Sequence, residues 1–237
     1  MLKSEPVEQY GSIAGCLVPI HADTLHDLAG PVNQLSTMLA LLEKRHRVPP
    51  DGDGDVLFSM ILSTAGRLRN LIGGFQTYTR VVDSPVPEQL CDAEALVAAA
   101  LSPLGPAIHE SDALITHDKL PEVNCDPNQI VHAFSSLIDN SIKFRGASRP
   151  EIHLSAVENE NEWIFSVKDN GIGIDPKQGE RIFHLFKRLN GDKYAGAGVG
   201  LSICKAVIAR HRGRIWLGTH TERGAIFHFS LPRAETV

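Results

Sequence analysis

Three short motifs fall in a fixed order between Phe134 and Leu201, and they constrain the fold more than any other part of the 237 residues. The first is F-S-S-L-I-D-N-S-I-K-F at Phe134–Phe144. Ile130, Phe134, Leu137 and Ile138 step at helical spacing, and Asp126-Pro127 supplies a cap followed by proline at the first helical position. Asn140 and Lys143 lie three apart and so share a helix face. An amide oxygen suits a magnesium ion and an ammonium suits a phosphate. By itself such a pair reads more often as an ordinary solvated face.

The second motif, D-N-G-I-G-I-D at Asp169–Asp175, closes a segment that alternates like a strand. Gly171 and Gly173 permit backbone torsions and close approaches that a Cβ forbids. Asp169 offers a carboxylate acceptor suited to an exocyclic amino group such as that of adenine. The third motif, G-A-G-V-G-L, places Gly196, Gly198 and Gly200 around the start of an apolar helix at Val199–His211. Backbone N–H groups at a helix start make an anion site. A polar run (Leu189–Ala195) leads into these glycines, not a strand, and no Gly-Lys-Ser/Thr follows. The pattern is therefore neither a dinucleotide fingerprint nor a P-loop.

The net charge of −5 does not favour a nucleic-acid partner. Cys16, Cys91, Cys125 and Cys204 are far apart with no C-x-x-C, which reads as reduced packing thiols in a cytoplasmic protein. No apolar run reaches the roughly 20 residues a membrane helix needs, and Met1–Pro19 lacks signal-peptide character.

Upstream, Leu25, Leu28, Val32, Leu35, Leu39 and Leu42 alternate steps of three and four, so a helix is expected from about Ala22 to Arg45. Pro31 removes a donor to the Asp27 carbonyl and should loosen the turn beside His26. Breaker residues mark a loop at Val48–Asp55, and a second helix is expected over Val56–Val82. Gly73-Gly74 inside it reads either as close packing or as a joint. Two such helices cannot bury their seams alone, and a four-helix bundle made by two chains is a natural solution. Asp83–Glu88 reads as a linker. Beyond it, helices are expected at Cys91–Leu101 and Pro176–Phe186. Strands are expected at Ala113–His117, Glu151–Val157, Trp163–Asp169, Arg214–Thr219 and Ala225–Leu231. The elements segregate, which argues an α/β sandwich with one mixed sheet under helices.

With H-D-L-A-G-P at His26–Pro31 added, the chain resembles the catalytic core of sensor histidine kinases of the GHKL ATPase superfamily. H-D-L-x-x-P resembles the phosphoacceptor box, L-I-D-N-S-I-K-F the N box and D-N-G-I-G-I-D the first glycine box. I-F-H-L-F-K-R resembles the F box and G-A-G-V-G-L-S-I-C-K the second glycine box. The resemblance covers about residues 20–235 and implies an α+β chain. Residues 1–83 would form a helical hairpin that dimerises as a four-helix bundle. Residues 84–237 would form an ATP-binding α/β sandwich of the GHKL (Bergerat) type.

The resemblance also implies site roles. His26 takes the phosphoryl group and Asp27 orients it and accepts its proton. Asn140 ligates Mg²⁺, and Lys143 and Arg188 meet the phosphates of ATP. Asp169, Gly171 and Gly173 receive adenine, and Gly196, Gly198, Gly200 and Leu201 belong to the closing loop. The implied partners are an identical chain and the receiver domain of a response regulator. Two departures stand out. Many members carry a glutamate four residues before the N-box asparagine, where this chain has Ser136. Many carry Thr or Asn four residues after the phosphoacceptor, where this chain has Gly30, so weak phosphatase activity is expected. Rival readings are an ATP-binding pseudokinase or scaffold, a clamp-type ATPase and a pure phosphotransfer module.

Overall fold

The computed structural model describes residues 32, 33, 35, 37–41, 53–83, 85, 87–189, 198–218 and 223–233. His26, Asp27, Gly30, Pro31 and Gly196 lie outside them. Within the first expected helix, residues 32–33, 35 and 37–41 are helical. Helix α1 (Asp53–Asp83) begins three residues before the periodicity predicts, so Asp53–Asp55 belong to the helix and not to the expected loop. Arg80 sits in its last turn, at the negative end of the helix dipole.

Among the described residues, only part of the upstream apolar seam is covered. Leu39 and Ala65 are buried, whereas Leu35, Met38, Ile61 and Leu68 are exposed. The C-terminal part of α1 behaves differently. Val81 enters the main core and Tyr78 packs against it. An Arg210 guanidinium N–H donates to the Val82 carbonyl, and Arg212 pairs with Glu88 at 2.7 Å.

The two adjacent glycines of α1 have different surroundings. A Cβ on Gly74 would stand 2.4 Å from a Val199 methyl, while one on Gly73 would meet open space. Gly74 is therefore a close-packing glycine. We expect Gly74→Ala to lower stability by about 1–3 kcal/mol through overpacking. Gly73→Ala should raise it by about 0.5–1 kcal/mol through helix propensity. Thermal melts of the two variants should move in opposite directions, and equal shifts would mean that Val199 yields freely.

The rest of the described chain forms two layers. Strand β1 (Gln89–Asp92) pairs antiparallel with β3 (Glu122–Cys125) as a separate small sheet. The main sheet has the order β2-β4-β5-β7-β6, from Leu114–His117, Glu151–Asn159, Glu162–Asp169, Ile226–Pro232 and Ile215–Leu217. β2 runs parallel to β4 and every other pair is antiparallel, so the sheet is mixed as expected, but it is one of two sheets. Helices α2 (Ala93–Leu101), α3 (Gly105–Ser111), α4 (Pro127–Lys143) and α5 (Gly200–Arg210) complete the unit, with α2 and α5 packed against α4.

The core lies between α4 and the sheet. Phe165 on β5 and Phe229 on β7 are cross-strand partners with rings stacked at 5.0 Å. Phe134 of α4 meets them edge-on at 5.8 and 5.3 Å. Aromatic pairs in these arrangements add to the burial of their area. Across the pleat, Ser155, Ser166 and His228 face away from this core, as strand alternation requires.

Two expected helices differ. Cys91 and Asp92 finish β1, and α2 starts only at Ala93, because the Asp92 carboxylate accepts from Glu94 N and caps the helix there. The segment Pro176–Phe186 is not one helix. It holds two 3₁₀ turns, Pro176–Gln178 and Arg181–Phe183, separated at Gly179. His184 is extended and Phe186 sits at φ 62°, so no α-helix can run through them.

Candidate nucleotide site

Helix α4 supplies one wall of the site. Asp126 caps it as expected, accepting from Asn128 N at 2.9 Å and Gln129 N at 3.3 Å, with Pro127 in the first turn. Its cap is held in turn by His211, whose Nε2 accepts from Asp126 N while Nδ1 bonds the Val207 carbonyl. The buried His211 imidazole thus ties the end of α5 to the start of α4. The apolar stripe of α4 buries Ile130, Phe134, Leu137 and Ile138, which leaves Asn140 and Lys143 on the cavity side.

A cavity of about 670 Å³ lies between α4, the end of β5, the F-box turns and the start of α5. Asn140, Lys143, Asp169, Gly173, Arg188, Gly198, Gly200 and Leu201 all line it. Its apolar surface comes from Ile172, Ile174, Ile182, Val199 and Phe227, among others. The structure therefore brings together residues that lie up to 61 positions apart, from Asn140 to Leu201. Gly171 sits just behind Asp169. A Cβ there would stand 2.5 Å from the Phe144 carbonyl oxygen.

Asp169 is anchored on three sides. Its Oδ1 accepts from Gly171 N at 2.9 Å and Ala225 N at 3.0 Å, and its Oδ2 accepts from the Ser141 hydroxyl at 3.3 Å. Burial raises the Asp169 pKa above its ordinary 3.8, and these three hydrogen bonds oppose the rise. Lys143 is shifted down from 10.5, first by burial and also by the nearby Arg188, while Asp139 pulls the other way. Lys143 also lies over the Phe144 ring, 5.3 Å from its centroid.

Two residues that hold this site were not legible as site residues. Ser141 occupies an apolar-stripe position of α4, and a hydroxyl there was the only signal. Gly224 reads from sequence as a hairpin-turn glycine. At φ 74° it brings the β6–β7 turn against the end of β5, so close that a Cβ would lie 1.9 Å from the Asp169 carbonyl oxygen. Gly198, at φ 70°, accepts from Phe186 N through its carbonyl at 2.9 Å and so joins the closing loop to the F-box turn. Gly200 opens α5 with open space around its Cα.

The implied groups fit these residues. Asn140 presents an amide with no hydrogen bond to another described residue, inside a cavity that also carries Asp139 and Ser136 oxygens. That is an oxygen-donor set suited to magnesium. Lys143, Lys187 and Arg188 line the same cavity and suit phosphates.

In the roles the resemblance implies, the two shifted groups would set a pH window for nucleotide binding. An ionised Asp169 is the stronger acceptor for an amino group, so affinity should fade as pH falls through its raised pKa. Lys143 must be charged, so affinity should fade as pH rises through its lowered pKa. Folding responds to Asp169 with the opposite sign. Its contribution to stability is fully present below 3.8 and is lost as pH rises through the raised value. Titrating a fluorescent ATP analogue against pH tests this window. Lys143→Arg, which keeps its charge, should flatten the alkaline limb alone, and an unchanged alkaline limb would remove Lys143 from the account.

Comparison with known proteins places this geometry. Residues 125–235 match the family described as Histidine kinase-, DNA gyrase B-, and HSP90-like ATPase. Cyanobacterial phytochrome A of Nostoc sp. (strain PCC 7120) is 41% identical over 208 residues, covering 87% of this chain and 27% of that protein. The chain thus spans about a quarter of the length of that relative. Full-length ShkA in complex with AMPPNP superposes with a TM-score of 0.67 at 24% identity, over 93% of this chain and 47% of that one. Histidine kinase ThkA in complex with the response regulator protein TrrA gives a TM-score of 0.63 at 19% identity, over 90% and 60%. The order of boxes, the cavity they build and these likenesses agree, and the chain belongs to the sensor histidine kinase catalytic cores, with a GHKL ATPase unit at residues 125–235.

Proposed function

We propose that this chain transfers the γ-phosphoryl group of ATP to His26 and from there to an aspartate on a response-regulator receiver domain. The observation that carries the reading is the single cavity in which the Asp169 acceptor and the Lys143 and Arg188 cations stand together. Asp169 accepts the adenine amino group, and Gly171 and Gly173 leave room for the ring. Lys143 and Arg188 hold the phosphates, and Asn140 supplies an amide oxygen to the metal. Magnesium, when bound, neutralises charge on the phosphates. Gly196, Gly198, Gly200 and Leu201 shape the loop that closes over them. The His26 imidazole attacks in line and Asp27 takes its proton.

The receiver-domain partner is supported by the ThkA complex with TrrA, which has this fold. Dimerisation through the N-terminal helices is supported by Leu35, Ile61 and Leu68, apolar seam positions that are exposed among the described residues. Residues 1–83 would then serve as the dimerisation and phosphoacceptor domain and 84–237 as the ATP-binding domain. Gly30 has no side chain to orient a water, so dephosphorylation of the regulator should be slow. Among the described residues no helix is long and apolar enough to cross a membrane.

Incubation with γ-labelled ATP and magnesium tests the central step. Acid-labile label is expected on the wild type and absent from His26→Gln. If the wild type binds nucleotide but takes no label, the chain is instead a nucleotide-binding scaffold, a reading that Ser136 in place of an acid would favour.

A further inference from the structure

One pair of side chains on the cavity wall has no part in the phosphoryl transfer proposed above. Ser136 lines the cavity one helical turn before Asn140. Its hydroxyl lies 3.1 Å from His132 Nδ1, one further turn back on the same face of α4. Both residues are half-buried. We propose that His132 and Ser136 act together as a positioning pair for the hydrated magnesium ion, with Ser136 Oγ accepting from a metal-bound water. The inference rests on the nucleotide-binding reading of this cavity.

The argument starts from proton count. A serine hydroxyl has one proton and two lone pairs. With the His132 proton on Nε2, Nδ1 is an acceptor for the Ser136 hydroxyl. Ser136 then donates to His132 and turns only lone pairs toward the cavity. The other neighbour does not change this. The buried Cys204 thiol, whose own donor goes to the Ala133 carbonyl at 3.7 Å, is a second acceptor for the Ser136 proton, and donation to either neighbour leaves the same two lone pairs. Magnesium sheds its waters reluctantly, and a water bound to it is a strong hydrogen-bond donor. An oxygen that can only accept, one turn from Asn140, matches such a water. It does not match a phosphate oxygen, which is itself an acceptor. An acid at position 136 would do the same work with a full negative charge. The hydroxyl–imidazole pair does it neutrally, so it adds no repulsion toward the phosphates.

The experiment measures affinity for a non-hydrolysable ATP analogue with and without magnesium, by calorimetry, on the full chain. The readout is the gain in affinity that magnesium brings. Ser136→Ala should cut that gain by about threefold to tenfold, the worth of one hydrogen bond to a charged group's water. Its metal-free affinity should equal that of the wild type, which also shows that the variant folds. His132→Leu should match Ser136→Ala, and the double variant should lose no more than either alone. His132→Asn, whose amide oxygen can take the place of Nδ1, should restore the wild-type gain. Equal losses with and without magnesium would mean that Ser136 donates to a phosphate, and the proposal would fall. It would fall equally if His132→Leu left the magnesium gain intact. A wild type that binds no nucleotide under either condition would overturn the functional reading and this inference with it.

Discussion

Asp169→Asn is expected to lower nucleotide affinity by about 100-fold or more while leaving the fold intact. The two effects separate because the two carboxylate oxygens have different jobs. Oδ1 accepts from Gly171 N and Ala225 N, and an amide oxygen in its place accepts both equally well. Oδ2 meets the Ser141 hydroxyl, and there the amide would put an N–H₂ group in a residue that lines the cavity. Ser141 can rotate its proton away and accept. An adenine amino group cannot, so donor faces donor in a desolvated site. The variant also removes a carboxylate whose pKa burial has raised, so the melting temperature should hold or rise. Calorimetric titration beside a thermal melt reads both. Affinity within about threefold of the wild type would reduce Asp169 to a turn-forming residue.

Gly224→Ala should be among the most damaging single methyl groups in the described chain. Gly224 sits at φ 74°, where an alanine is strained, and its Cβ would lie 1.9 Å from the Asp169 carbonyl oxygen and 2.7 Å from its Oδ1. Neither neighbour is the free end of a flexible side chain. The β6–β7 turn must move away, and Ala225 N, the next residue along, then loses Asp169 Oδ1. We expect a stability loss of roughly 2–5 kcal/mol. Nucleotide binding should weaken with it, because the Asp169 carboxylate loses one of its anchors. Gly146→Ala, where a Cβ meets nothing within 4 Å, is the control and should melt near the wild type. Urea unfolding of the three proteins gives the comparison, and a Gly224 variant that tracks the Gly146 control would show that the turn relocates at no cost.

Local signals carried well where one element decides them. Asp126-Pro127 marks the start of α4 because a cap and a proline act within one turn. The alternation of Trp163–Asp169 marks β5 because pleat and burial share a period of two. The same local reading failed at Cys91, where the pairing of β1 with β3 and the Asp92 cap outweigh a helical pattern. It failed again at Pro176–Phe186, where apolar residues recur without the backbone angles of a helix.

The sequence by itself determined which chemical groups this protein brings to its site: an amide, a lysine, a carboxylate and the glycines around them, in a fixed order. Those are properties of side chains and of single turns, so neighbours in the chain suffice to read them. Only the tertiary structure decided how the groups are held. It set Gly224 against Asp169, Ser141 under its second oxygen, His211 against the cap of α4, and Gly74 against Val199. Each of these contacts joins segments at least 28 residues apart. Distance along the chain carries no information about them. They follow from which face of each helix is apolar and which strands share a sheet, and the packed core settles both at once.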